Sequence, residues 1–230
     1  MTCLLVLDAS SLLCSVALQT SDSRYHITEE QPRRHAQRLL PMVDELVKRA
    51  GIDKTALDGI AYGRGPGSFT GIRIAASVMQ GIALALNIPV AGISSLQAVA
   101  QAVFLQTDAR NIMAIMDAHM GEVFWGHYVR DGETCRLLGA EKVGAPDVCL
   151  AELQNFDGIL AGDGLTISAL SHLDQHWAHI QPVADIMLPL ADLAWQRHEF
   201  AEPHQHQPVY LRESVAWKKL DEQPSLLRRD

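Results

Sequence analysis

The stretch LLVLDASSLLCSVAL, residues 4–18, decides the fold. An apolar run at 4–7 ends at Asp8, small polar residues follow, and 13–18 is mostly apolar again. This pattern predicts a buried strand, a tight turn and a returning strand. A similar unit recurs at 112–128, where the first apolar run ends at Asp117. Two such units indicate an internal duplication, although hairpins are common enough to resemble each other by chance. We therefore predict an α/β protein with one lobe at 1–107 and a second at 108–230.

Composition limits the class of protein. The chain has 230 residues, of which 48% are hydrophobic and 20% are charged, as in ordinary globular proteins with a sizeable core. Its 27 acidic and 19 basic residues give a net charge of −8. This charge disfavours autonomous binding to a nucleic-acid backbone.

The N-terminal region and the cysteines predict a cytoplasmic protein. Residues 1–18 are apolar but lack a basic start, and Asp8 interrupts them, unlike a secretory signal. No run approaches the roughly 20 apolar residues of a membrane span. The four cysteines form no CxxC pair, so reduced thiols are the expected state.

Two helical segments of the first lobe have unusually wide apolar surfaces. Residues 34–50 carry apolar side chains at helical spacing, with Pro41 inside the pattern and Gly51 at the expected end. Residues 70–86 are apolar almost all round, and Gly71 and Gly81 are among several small residues that would let another helix approach. Such a helix must be covered on more than one side, either within its own fold or by a partner.

A glycine-rich loop at 63–71 lies between a predicted strand and the second helix. Glycines at a helix N-terminus permit close approach of a phosphate. The loop lacks the Gly-Lys-Ser/Thr of a Walker motif, and Thr70 replaces the last glycine of GxGxxG. Nucleotide contact and a tight turn capped by Ser68 or Thr70 both remain open.

Asp8 and Asp117 end apolar strands, where acids of actin-like and hexokinase-like folds face phosphate and magnesium. The alternative is that each carboxylate accepts hydrogen bonds from its own turn. We favour this alternative for Asp117 and leave Asp8 open.

Motifs for nucleophilic or metal chemistry are incomplete. Ser68 does not lie in a GxSxG frame, and His198-Glu199 lacks the second histidine of HExxH because residue 202 is Glu. His172, His176 and His179 have a spacing that could place them on one helix face, for which an amphipathic surface is the simpler explanation.

Four segments resemble the bacterial TsaB (YeaZ) family: residues 35–41, 63–73, 117–123 and 208–219. They occur in family order across nearly the whole chain. The resemblance implies a duplicated, two-lobed actin-like fold (ASKHA, ribonuclease H-like), in the group sometimes labelled glycoprotease-like.

The resemblance also implies a function. The chain would be a non-catalytic subunit required for threonylcarbamoyl transfer to adenosine 37 of tRNAs that read ANN codons. It would act as a heterodimer with the catalytic subunit TsaD, alongside the ATPase TsaE, and would form a homodimer when alone. Transfer RNA would be reached only through the complex. No cofactor would bind tightly, although ATP or ADP could contact the junction with TsaD at Asp8, Gly65, Pro66, Gly67 and Ser68.

One departure from TsaD supports this role. TsaD has an HxxxH pair on the corresponding first helix, whereas here His35 is followed four residues later by Leu39. A single imidazole cannot form that metal site.

The family's partner surface maps onto the first two helices. We expect it to comprise Arg34, His35, Arg38, Leu39, Met42, Val43, Leu46, Ile72, Arg73, Ala75, Val78, Met79 and Ile82. The alternative function is a small-molecule kinase or ATPase of actin-like fold. No catalytic motif in the sequence supports a third possibility, a peptidase.

Overall fold

The computed structural model describes residues 2–30 and 33–212. The last part of the family-like C-terminal segment, residues 213–219, lies outside the described residues.

The first sheet contains the predicted hairpin at its centre. Its strands are β1 (Leu4–Asp8), β2 (Leu13–Gln19), β3 (Arg24–Glu30), β4 (Gly59–Gly65) and β5 (Val90–Ser94). They are ordered β3-β2-β1-β4-β5, with β1 antiparallel to β2 and parallel to β4. Every residue of β1 is buried, because this strand has neighbours on both edges and helices on both faces.

The second sheet repeats this topology. Its strands are β6 (Asn111–Asp117), β7 (Val123–Asp131), β8 (Thr134–Leu137), β9 (Lys142–Gly144) and β10 (Ile159–Ala161). The order is β10-β6-β7-β8, with β9 also paired to β7. Strand β6 is antiparallel to β7 and parallel to β10, as β1 is to β2 and β4. The shared topology supports the internal duplication and the actin-like two-lobed α/β fold.

The described residues also form five α-helices: α1 (His35–Ala50), α2 (Phe69–Leu86), α3 (Ser95–Phe104), α4 (Pro146–Leu153) and α5 (Ala184–Gln196). Three short 3-10 helices lie at Lys54–Ala56, Asp163–Thr166 and Pro203–Gln205. Helices α1 and α2 pack on one face of the first sheet, and α3 and α5 lie between the two sheets. Helix α3 packs mainly on the second sheet and α5 mainly on the first. The boundary after residue 107 thus divides the strands but not the helices. Helices α3 and α5 are apolar on more than one side. Their sequences therefore did not indicate which sheet each helix covers.

Helix ends follow local chemistry. Helix α1 ends at Gly51, which adopts the left-handed conformation (φ 67°), as predicted. Pro41 lies within the continuous helix. Ser68 caps α2 by accepting the N–H of Gly71 at 3.2 Å.

The helix considered for His172, His176 and His179 does not form. Residues 172–179 form turns, in which the ring of Trp177 contacts those of His176 and His179. Asp174 accepts the backbone N–H of His176 at 3.0 Å, which favours a turn over helix.

Candidate protein interface and interlobe cleft

An apolar groove runs between α1 and α2 on the outside of the first lobe. Its volume is about 470 Å³. Its apolar walls are formed by Leu40, Val43, Val47, Leu57, Val78, Ile82, Ala85 and Leu86. Asp44 and Lys54 provide charge at the groove and are 3.5 Å apart. An apolar depression with a few charged groups at its side is typical of protein interfaces.

Three residues of the predicted partner surface line this groove: Val43, Val78 and Ile82. Six others are buried in the lobe itself, at 0–1% exposure, and cannot contact a partner while the lobe is folded. They are Leu39, Met42, Leu46, Ile72, Ala75 and Met79. Their inclusion was wrong because the most regular apolar stripe of each helix faces the sheet, and the weaker neighbouring stripe faces the groove.

The three arginines of the predicted partner surface differ in their surroundings: some bind other residues of this chain, and one is exposed. Arg38 pairs with Glu29 on β3 and with Glu45 on α1, so it holds this helix against the sheet. Arg73 lies 3.5 Å from the ring centroid of Phe69 and donates to the Tyr210 hydroxyl at 2.8 Å. Arg34 is exposed and its carbonyl accepts the first hydrogen bonds of α1.

Two leucines on these helices are exposed, which the sequence did not predict. Leu40 is 52% exposed and lines the groove, whereas Leu84 on α2 is 70% exposed and lies outside it. Both were counted as part of the apolar helices. Their exposure depends on how the helices are rotated on the sheet, which periodicity does not fix when most positions are apolar.

A second concavity, about 930 Å³, is the cleft between the lobes. The turns after β1 and after β6 both contribute to it, through residues such as Ser10 and His119. Its polar lining comprises Ser10, Ser11, Arg33, His35, Ser68, Thr70, Asp117, His119, Asp163, Thr166, His179 and Gln181.

The two strand-end aspartates form similar turns. Asp117 accepts the N–H of His119 at 2.7 Å, which agrees with the turn-forming role favoured for it. Asp8 accepts the N–H and the hydroxyl of Ser10 at 3.2 and 3.1 Å, so the turn-forming role applies to it as well. Burial raises the pKa of Asp8 to about 7, and its second oxygen has no hydrogen-bond partner among the described residues.

The glycines of the loop at 63–71 make room for the protein's own backbone. A Cβ added at Gly67 would lie 2.3 Å from the Ser10 carbonyl oxygen, and one at Gly71 would lie 1.8 Å from that of Ala9. Ser68 N–H donates to the same Ser10 oxygen at 2.8 Å. The loop is therefore packed against the turn that follows β1.

Only two of the five residues predicted to contact a nucleotide lie together in the cleft. Gly67 and Ser68 line the cleft. Asp8 is buried beneath its turn, and a Cβ at Gly65 would face the carbonyl oxygen of Val209 at 3.2 Å. Pro66 follows Gly65 through a cis peptide bond and is not among the cleft-lining residues.

Metal ligands are not clustered in the described part of the chain, where no group of three or more His, Cys, Asp or Glu side chains could hold an ion. His35 lines the cleft, and Leu39, four residues on, lies in the core.

Comparison with known proteins gives consistent relatives. A family model described as TsaD, tRNA N6-adenosine threonylcarbamoyltransferase, matches residues 26–198. The tRNA threonylcarbamoyladenosine biosynthesis protein TsaB of Haemophilus influenzae is 38% identical over 227 residues, covering 94% of this chain and 96% of that protein. TsaB of Escherichia coli is 35% identical, with 94% and 97% covered.

A solved structure agrees with these relatives. YeaZ from Pseudomonas aeruginosa is 42% identical and superposes with a TM-score of 0.85, covering 92% of this chain and all of that one. With relatives matched over almost their full length and the duplicated fold in common, the chain belongs to the TsaB (YeaZ) family of tRNA threonylcarbamoyladenosine biosynthesis proteins.

Proposed function

We propose that this chain is a non-catalytic subunit for threonylcarbamoyl transfer to adenosine 37 of tRNAs that read ANN codons. It acts by forming a heterodimer with the catalytic subunit TsaD and activating it. The observation that carries the proposal is the apolar groove between α1 and α2.

The groove has the properties of a helix-docking surface. The expectation that no apolar run approaches a membrane span was wrong for α2. Its 18 residues have a mean hydropathy of 1.5, enough by length and composition to cross a membrane, yet only 33% of them are buried within the chain. Its contacts with β4 and α1 are those of a helix packed in a protein core. Apolar surface left exposed on such a helix marks an interaction site.

Small residues shape the groove wall on α2. Ser77, Gly81 and Ala85 all line it and are spaced four residues apart. A Cβ added at Gly81 would meet no described atom within 4 Å. One helical turn between small residues gives a shallow track along which a partner helix can approach closely. This arrangement favours a helical partner over a peptide in extended conformation.

The non-catalytic role is supported by the residues at the positions where TsaD binds metal. His35 has Leu39 four residues later, so two imidazoles do not meet on one helical turn. The loop glycines Gly67 and Gly71 are occupied by contacts with the chain's own backbone.

We further propose that no nucleotide binds tightly to the isolated chain and that ATP or ADP contacts Gly67 and Ser68 only at the junction with TsaD. The cleft volume of about 930 Å³ is the observation that favours the alternative, an actin-like kinase or ATPase. An ATPase assay on the purified chain separates the two: turnover without TsaD would support the alternative.

Assembly follows from the same surface. We propose that the exposed groove pairs with that of a second copy in the absence of TsaD, and that the heterodimer replaces this homodimer. TsaE joins as the ATPase of the system, and a chain of net charge −8 reaches tRNA through the complex. The site of action is the cytoplasm.

Titration calorimetry with TsaD tests the proposal. Leu40→Asp places a charge in the groove at a position that is already half-exposed, so the lobe stays folded. We expect at least about a hundredfold weaker binding, because a buried unpaired charge is costly at an interface. Leu84→Asp, on the exposed part of α2 outside the groove, is the matched control and should bind normally.

Two outcomes contradict the proposal. Full TsaD binding by folded Leu40→Asp would exclude the groove as the interface. Reconstituted transfer that proceeds equally well with and without this chain would exclude the supporting role.

A further inference from the structure

A buried polar cluster joins the two lobes at the side of the glycine-rich loop. At its centre is Glu141, between β8 and β9, whose side chain is 6% exposed. Tyr128 on β7 donates its hydroxyl to one Glu141 oxygen at 2.6 Å, and the Ser94 hydroxyl donates to the same oxygen. The Arg64 guanidinium lies 3.5 Å from the other oxygen. Arg64 and Ser94 belong to the first sheet, whereas Tyr128 and Glu141 belong to the second lobe.

Glycines on both sides leave space for this cluster. A Cβ at Gly92 on β5 would lie 3.0 Å from the Arg64 side chain. A Cβ at Gly126 on β7 would lie 3.0 Å from the Tyr128 ring and 3.5 Å from its hydroxyl. Both contacts are tighter than ordinary van der Waals packing, so a side chain at either position would press on the cluster.

The cluster is connected to the elements that border the cleft. Arg64 immediately precedes the loop residues 65–68, and its carbonyl accepts the N–H of Val209 at 2.8 Å. Ser94 is also the N-cap of α3 and accepts the N–H of Gln97 at 3.3 Å. A shift of the second lobe away from Arg64 and Ser94 would therefore remove the Glu141 partner of the residue before the loop and of the N-cap of α3 together.

Hydrogen-bond geometry makes the cluster sensitive to such a shift. Hydrogen bonds weaken steeply when they are stretched by about 1 Å or bent, so the cluster responds to a small displacement of either lobe. A carboxylate at 6% exposure that lost its Ser94 and Arg64 partners would remain poorly solvated, which costs more than the bonds themselves contribute. Tyr128 stays protonated as a donor, because burial and the nearby Glu141 raise its pKa well above the ordinary value.

We propose that Arg64, Ser94, Tyr128 and Glu141 form an interlobe latch that holds the two lobes in one relative position and thereby fixes the glycine-rich loop at the cleft. This inference goes beyond the proposed function and does not depend on the identity of the partner subunit. It concerns the free chain.

Amide hydrogen exchange of the full-length chain tests the latch. Tyr128→Phe removes one hydroxyl, and Glu141→Gln removes the charge with little change of shape. In both variants we expect the amides of residues 67–71 to exchange about tenfold faster, while those of β1 keep their wild-type rates. Tyr25→Phe makes the same chemical deletion at a partly buried tyrosine of β3, outside the cluster, and should leave the loop unchanged.

Two results would overturn the latch. One is wild-type exchange at 67–71 in both variants. The other is acceleration of the loop and β1 by the same factor, which would mean that the cluster only adds to global stability. If Glu141→Gln does not fold, the exchange measurement is made on Tyr128→Phe and Gly92→Ala instead. Gly92→Ala places a Cβ 3.0 Å from the Arg64 side chain and should give the same local acceleration.

Discussion

The backbone of Gly71, in the first turn of α2, lies directly against the carbonyl oxygen of Ala9. A Cβ at Gly71 would be 1.8 Å from that oxygen, a distance at which the backbone must move. Gly71→Ala is therefore expected to lower the free energy of unfolding by more than about 3 kcal/mol. Urea denaturation of the purified variant measures the loss.

Gly81 on the same helix is the matched control for this substitution. It has no described atom within 4 Å of an added Cβ. Gly81→Ala should raise the free energy of unfolding by roughly 0.5–1 kcal/mol, because alanine favours the helix. Equal effects of the two substitutions would show that helix propensity, not contact with Ala9, determines the result.

Met79 and Leu40 should differ in their contribution to stability. Met79 is fully buried between α2 and the sheet, whereas Leu40 is 52% exposed. Met79→Ala should cost about 2–5 kcal/mol through lost burial and the cavity that remains. Leu40→Ala should change stability by no more than about 0.5 kcal/mol. Thermal unfolding of the two variants checks this, and similar costs would contradict the burial that the structure assigns.

Arg130 should hold the end of α3 and the connection to the second lobe. Its guanidinium donates to the carbonyls of Phe104 and Ala109 at 2.9 and 3.0 Å and also to that of Thr107. Arg130→Ala should cost about 2 kcal/mol or more, since these acceptors lose a charged donor. Arg130→Lys retains a charged donor, although its single nitrogen cannot replace both Nε and Nη2, so its cost should be smaller than that of Arg130→Ala. Full stability of Arg130→Ala in chemical denaturation would contradict this role.

The buried Asp8 carboxyl predicts a specific pH dependence of stability. Its pKa is about 7 in the folded chain against an ordinary value of 3.8, because burial disfavours the charged form. The native state thus binds more protons between these two values, and this group's contribution to stability falls as pH rises from about 4 to 7. Above pH 7 the loss is complete.

Asp8→Asn tests this dependence because the amide does not ionise. The variant should unfold at a higher temperature than the wild type at pH 8, with the difference shrinking towards pH 5. Melting curves of both proteins across this range measure the effect. A difference that does not vary with pH would contradict the assignment to Asp8.

The four cysteines should differ in their reactivity towards alkylating reagents. Cys14, Cys135 and Cys149 are buried, and burial raises the pKa of each thiol to about 12. Cys3 is partly exposed. Alkylation of the native chain at pH 8 should modify Cys3 first, with all four modified after denaturation. Mass spectrometry of the alkylated chain identifies the sites, and early modification of Cys149 would contradict its burial.

The sequence by itself determined the two hairpins and the first two helices of this protein. The apolar run at 4–7 before Asp8 and the matching run before Asp117 predicted both hairpins, because strand burial and turn chemistry are local properties. The end of α1 at Gly51 was predictable for the same reason, and Ser68 was one of the two capping residues considered for α2. Leu39, at the position of the second histidine of TsaD, could be identified from the sequence only through the resemblance to that family.

Only the tertiary structure decided which surfaces remain free. Almost every position of α2 is apolar and α1 carries a wide apolar band, so periodicity could not separate Met79, which faces the sheet, from Leu40, which lines the groove. The placement of α3 and α5 between the sheets and the meeting of Arg64 with Glu141 were also beyond the sequence. Each depends on the rotation and packing of elements distant in the chain, and long-range contacts of this kind leave no local pattern.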